Sequence, residues 1–257
     1  MRSLRIVLVA WWLQLKMRSR SAFDGILGVL YPLFFSTTAF LMFRGGGVQG
    51  PALLSAAVGA SVMGVWSSTS TTAASSLQQE RRQGTLELLV AAPTPFSLLI
   101  LPVTLSMATI GGYSLIATLL WGRFVFGIPL TVQQPAALIA ACLATIVAVG
   151  TLGFLLAICS VRYRSAFALG TALEFPVWLL CGFLVPLSLL PGWTRPISWV
   201  LAPTWGIDAV RAAAIGGNPL PGIAACLGLA AVYGVCGSWL AVRLIDAART
   251  HATLALS

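Results

Sequence analysis

The chain has 257 residues, of which 58% are hydrophobic and only 8% charged, and its mean hydropathy is +0.95. These values exclude an ordinary soluble globular domain and fit a single membrane domain of about six spans. The net charge of +9 does not argue for nucleic acid, because the basic residues are scattered through short connections between apolar tracts, as membrane topology requires.

In residues 2–20, Leu4, Leu8, Trp11, Trp12 and Leu15 recur at helical spacing among Arg2, Arg5, Lys16 and Arg18. The pattern predicts an interfacial amphipathic helix with its Trp pair at headgroup level. A cleaved signal peptide fits less well, since the apolar run is short, no A-x-A site follows and basic residues flank both sides. Residues 25–43 are uncharged and long enough for span one. Arg44 and the glycines before Pro51 form a loop, and span two covers about 52–74. Its second half is rich in hydroxyls, from Ser67 to Thr72. They can line a polar path or serve close helix packing, and packing is the favoured reading.

Residues 78–93 then carry Glu80, Arg81, Arg82 and Glu87 within eight positions, the only charges between Arg44 and Arg123. Each would cost about 2.5–3.5 kcal/mol at a span centre, so the stretch is expected to be a short polar connection at a membrane surface. Its second half reads as a helix over about 84–92. Gly84 allows the turn, Thr85 is the N-cap candidate, Glu87 suits the first turn, and Pro93 ends the run. A helix that short is marginal alone and has to lean on headgroups or a partner protein.

Span three is expected over 96–121, interrupted at Pro102 and Gly111-Gly112, span four over 135–160 and span five over 166–187, with Glu174, Pro176 and Pro186 inside it. An aromatic, weakly polar region follows through Arg211, then span six over 220–242 and a polar tail. Eleven of the 15 basic residues fall on the side of the two termini and the charged connection, against four (Arg44, Arg123, Arg195, Arg211) on the other. Both termini are therefore expected in the cytoplasm.

The possible chemistry is narrow. His251 is the only histidine, which removes HExxH zinc sites and makes an intramembrane Ser-His pair implausible. Lys16, the only lysine, lies outside any G-K-[ST] context, so the chain has no P-loop for ATP. The five cysteines lie in apolar tracts without CxxC spacing and read as small core residues. No catalytic residue, metal or cofactor is expected. Glu174, about 15 Å into span five, is the one ionisable group deep in a span. It can bind a cation, carry a proton or hold two helices together, and Pro176 beside it loosens the helix. Asp208 and Arg211, three residues apart, are expected to pair on a short outer helix.

Two stretches resemble the permease subunits of type-2 ABC exporters. Glu80-Arg81-Arg82-Gln83-Gly84-Thr85-Leu86-Glu87-Leu88-Leu89 is similar to that family's E-R-E-x-G-T-L-E-x-L coupling segment. Gly182 to Pro186, Leu190-Pro191-Gly192-Trp193, Ala202-Pro203-Thr204-Trp205, Asp208 and Arg211 resemble its S-G-x-x-x-P…L-P-x-W…P-x-T-Y…D-x-x-R block. The chain departs at Arg82, where the family has an acid, at Leu101-Pro102, where it has a basic residue, and at Cys181 and Trp205, where it has Ser and Tyr.

The resemblance implies an all-α integral membrane protein, a single domain of six transmembrane helices with cytoplasmic termini in a bacterial cell membrane. Its segment at 84–92 would be a coupling helix docking on a separate ABC ATPase subunit that binds the ATP. Glu80, Arg81, Arg82, Gly84, Thr85, Leu86, Glu87 and Leu88 would make that contact. Short re-entrant helices bearing Pro186, Pro191, Trp193, Pro203, Trp205, Asp208 and Arg211 would cap the outer end of the path. Glu174 and Pro176 are the candidates for that path from the reading of span five itself, beside the equal alternative of a bond between two helices. The partners would be the ATPase, a second identical or paralogous permease and membrane lipids, the cargo a lipophilic drug or lipid. The alternatives are a proton-coupled secondary transporter using Glu174 and a non-transporting membrane scaffold.

Overall fold

A computed structural model describes residues 2–19, 22–45, 51–84, 89, 94–127, 133–160, 166–183, 187 and 190–251. Its regular elements are helices: α1 (Arg2–Ser19), α2 (Ala22–Gly45), α3 (Pro51–Arg82), α4 (Phe96–Phe126), α5 (Pro135–Ser160), α6 (Ala166–Leu180), a 3-10 turn (Gly192–Thr194), α7 (Arg195–Val200), α8 (Ala202–Ile215) and α9 (Leu220–His251). Prolines open α3 and α5 and sit in the first turn of α7 and α8. There the missing N–H is one that the helix would leave unbonded. Among the described residues, α4, α5 and α9 are long and apolar enough to cross a membrane.

The bundle is built around α3. It packs against α2, α4, α5, α6 and α8, most extensively against α4, and every residue from Ala57 through Ser67 is buried. Close packing on several sides favours small residues, and most of the hydroxyls of this stretch bond back to the helix's own backbone. Thr69 donates to Val65 O at 2.7 Å and Thr71 to Ser67 O at 2.7 Å, with Ser68 and Ser70 also bonded one turn back. Ser68, Thr69, Ser70 and Thr71 thus turn their hydroxyls onto their own helix.

Several boundaries differ from the sequence reading. α3 continues as helix through Arg82, so the polar connection begins about five residues later than expected. α4 is one uninterrupted helix, because Pro102 removes a single backbone donor and Gly111 serves packing: a Cβ there would fall 2.7 Å from Val65 Cα. α6 stops at Leu180, short of the expected 187, where Gly182 at φ 73° turns the chain. Of the cysteines, Cys181 and Cys226 are core residues, but Cys159 and Cys236 are exposed, which corrects the expectation that all five are internal.

α1 leans on the bundle as well as on whatever its exposed Leu4, Leu8 and Trp12 face. It packs along α4, and Trp11 Nε1 donates to Thr109 Oγ1 at 3.1 Å. Spacing alone could not show this tie. Trp11→Phe, which keeps the ring and loses the donor, is expected to cost about 0.5–1.5 kcal/mol. Faster deuterium uptake over 2–19 with α4 unchanged would register it.

Candidate functional site

Three places along α3 collect the residues singled out in the sequence. At its C-terminal end, Glu80, Arg81 and Arg82 lie on the last turns, and the chain then turns through exposed Gln83 and Gly84. Gly84 has φ 70°, a backbone that L side chains rarely adopt, which is why glycine occupies the position. Thr85, Leu86, Glu87 and Leu88, and with them most of the expected 84–92 helix, lie outside the described residues. Leu89 is helical and packs against the cluster of Phe96, Ile100, Phe154 and Ile158.

Midway, α6 lies on α3. Glu174 is only 6% exposed and faces Ser67 of α3. The Ser67 hydroxyl lies beside the carboxyl group without reaching hydrogen-bond geometry to any partner. One turn on, buried Trp178 meets Phe35 of α2 edge-on at 5.1 Å and Phe175 at 4.9 Å. Pro176 is exposed on the opposite face of α6. Among the residues predicted for a path, therefore, Glu174 is internal and Pro176 is not.

The third place lies near the start of α3, and from Gly59 to Arg82 the helix runs about 34 Å. Here α7 and α8 fold over the end of α6. Arg211, half-buried on α8, donates from Nη2 to Gly182 O at 3.1 Å, and Asp208 stands exposed three residues before it on the same helix. Gly59 fits under this junction with no room for a side chain, because a Cβ would overlap the Phe183 carbonyl and stand 3.3 Å from Arg211 Nη2. Pro203 is buried in the first turn of α8 and the Trp205 indole donates to Trp199 O at 2.9 Å. Pro191 and Trp193 are exposed, Trp193 by 70%. Pro186 lies outside the described residues.

The sequence reading missed the groups that hold this end together. Ser198 Oγ donates to Leu180 O at 2.5 Å and stands 3.1 Å from Thr194 O. The Tyr233 phenol of α9 donates to Val200 O and accepts from the Ala202 N–H at 3.2 Å. Tyr233 is the only phenol in the last helix, and a lone hydroxyl-bearing ring in an apolar span asks for a partner; that was the available signal. Among the described residues no three His, Cys, Asp or Glu side chains gather. The three places are joints between helices.

No curated protein matches the chain at a significant level. The model of the family described as ABC-2 type transporter matches residues 5–215. That match takes in α1 through α8, including the turn at Gly84, the Glu174 seam and the Arg211 junction, and on it the chain belongs to the ABC-2 type transporter family as a membrane subunit.

Proposed function

We propose that this chain is the membrane-spanning subunit of an ATP-driven exporter, with six spans and both termini in the cytoplasm of a bacterial cell membrane. It hydrolyses nothing itself. A separate ABC ATPase binds ATP and grips the segment from Glu80 to Leu88, which acts as the coupling helix over about 84–92. A second permease, identical or paralogous, completes the path. The observation that carries this reading is the family match over residues 5–215, and the charged turn at the end of α3 supports it. Closure of the ATPases would displace that turn and, through the rigid central α3, the α6 seam and the α7–α8 cap. Such coupling needs contacts that differ between two states, and a docked short helix supplies them.

In this reading α7 and α8 are re-entrant. The turn at Gly182 ends α6 at Leu180, and α7 and α8 lie over that end. Glu174 sits where α3 and α6 part when the path opens. The mostly apolar spans suit a lipophilic cargo, a drug or a lipid. The test is a pull-down of the tagged chain from its native membrane, expected to bring a Walker-A-bearing ATPase. Glu80→Ala or Glu87→Ala should then lower transport-coupled ATP hydrolysis in the reconstituted complex by about tenfold, the worth of one charge-assisted contact, with insertion intact. Unchanged coupling in both variants would refute the docking assignment. The burial of Glu174 favours a second reading, proton-driven transport, whose mark is transport that persists without any ATPase.

A further inference from the structure

Helix α7 ends and α8 begins at Leu201, whose extended backbone (φ −93°, ψ 113°) interrupts the helix. Backbone freed within a bilayer has to find partners in the protein, and here one side chain meets the need on both sides of the break. Tyr233 donates to Val200 O and accepts from the Ala202 N–H. Cys226, also on α9, points its thiol at Ala202 O from 3.7 Å.

The two helices that meet at this break are held very unequally. α8 packs on α3, α5 and α9, with Ile207, Val210 and Ala213 fully buried, and Arg211 bonds it to Gly182. On α7 the only buried residue is Ser198, while Ile197, Trp199 and Val200 are exposed. The bonds at the C-terminal end of α7, to Tyr233 and to the Trp205 indole, lie at the break itself. Its tie to α6 is the Ser198 hydroxyl on Leu180 O. A rotation about Leu201 would break that tie and the Trp205–Trp199 bond, and leave the packing of α8 and its Arg211–Gly182 bond in place.

We propose that α7 is a flap hinged at Leu201, with Tyr233 the positioning residue of the hinge and the Ser198–Leu180 bond the latch that holds it on α6. The flap swings while α8 stays with α5 and α9, so the outer end of α6 is uncovered by one short helix and not by movement of the whole cap. This goes beyond the exporter reading and rests on it for the outward, membrane-embedded position of the cap and for the stimulus, ATP binding by the partner.

Hydrogen–deuterium exchange on the purified full chain in lipid nanodiscs tests it. Ser198→Ala should speed uptake over 195–200 about tenfold, as expected for losing one buried hydrogen bond, and leave 205–215 unchanged. Ser198→Thr, which keeps the hydroxyl, should restore the slow rate, and Tyr233→Phe should speed uptake at 201–204. Acceleration of 195–200 and 205–215 together, or of neither, overturns the flap. If Tyr233→Phe does not fold, the serine pair still decides. In the complex with a co-purified ATPase, ATP should speed 195–200 alone in the natural chain and add little in Ser198→Ala. Equal ATP responses in the two chains would overturn the latch, whereas failure to recover any ATPase counts against the exporter reading and leaves the first comparison standing.

Discussion

Gly59→Val is expected to leave almost no folded protein, and Gly59→Ala to lower stability by about 1–3 kcal/mol, the usual cost of forcing extra carbon into a filled interior. The cost arises because the atoms in the way cannot yield. The Phe183 carbonyl is backbone in the turn after α6, and the Arg211 guanidinium is committed to Gly182 O at 3.1 Å. A methyl group on Gly59 must push the turn, α8 or α3 itself, and the three places joined along α3 move with it. Gly228→Ala is the matched control. A Cβ there meets open space, and the better helix propensity of alanine makes that change neutral or favourable by up to ~1 kcal/mol. Thermal unfolding followed by fluorescence-detected size exclusion compares the two. Equal midpoints would show that the junction under Arg211 is not closed.

The second large effect is expected at Glu174. Glu174→Lys puts a strongly hydrated ammonium where a carboxyl group now lies 94% covered between α6 and α3. By the insertion scale for a mid-span charge it should cost about 2.5–3.5 kcal/mol, enough to remove most folded protein from the membrane fraction. Glu174→Gln keeps the volume and a polar group beside Ser67, so its folded yield should match the natural chain while transport falls at least several-fold. A well-folded Glu174→Lys protein would mean that the α3–α6 seam is open to water. A Gln variant with full export would reduce Glu174 to a bond between two helices.

How much of this was legible beforehand differs from place to place. Gly84 was read as a turn and adopts φ 70°, because a glycine between a charged run and a helical pattern has few other uses. The hydroxyls of α3 were read as packing and bond back onto their own helix. The flap's fastenings were invisible, since Ser198 and Tyr233 are 35 residues apart in the chain and neither belongs to a local pattern. The early end of α6 is missed for a related reason: Cys181, Gly182 and Phe183 continue the apolar run, and hydropathy cannot distinguish a helix from a buried turn.

By itself the sequence determined that the chain is a helical membrane protein and roughly where its long apolar helices run, and it set the expectation that the charged stretch 78–93 stays at a surface. Those properties follow from the cost of placing charge and unbonded backbone in hydrocarbon, which is paid residue by residue. Only the tertiary structure decided that α3 is buried from Ala57 through Ser67, that Glu174 faces Ser67, that Gly59 lies beneath Arg211, and that one phenol holds the break between α7 and α8. Lipid tails are as apolar as the helices they surround, so hydropathy does not select which faces meet. Close fit and a few hydrogen bonds between distant residues do.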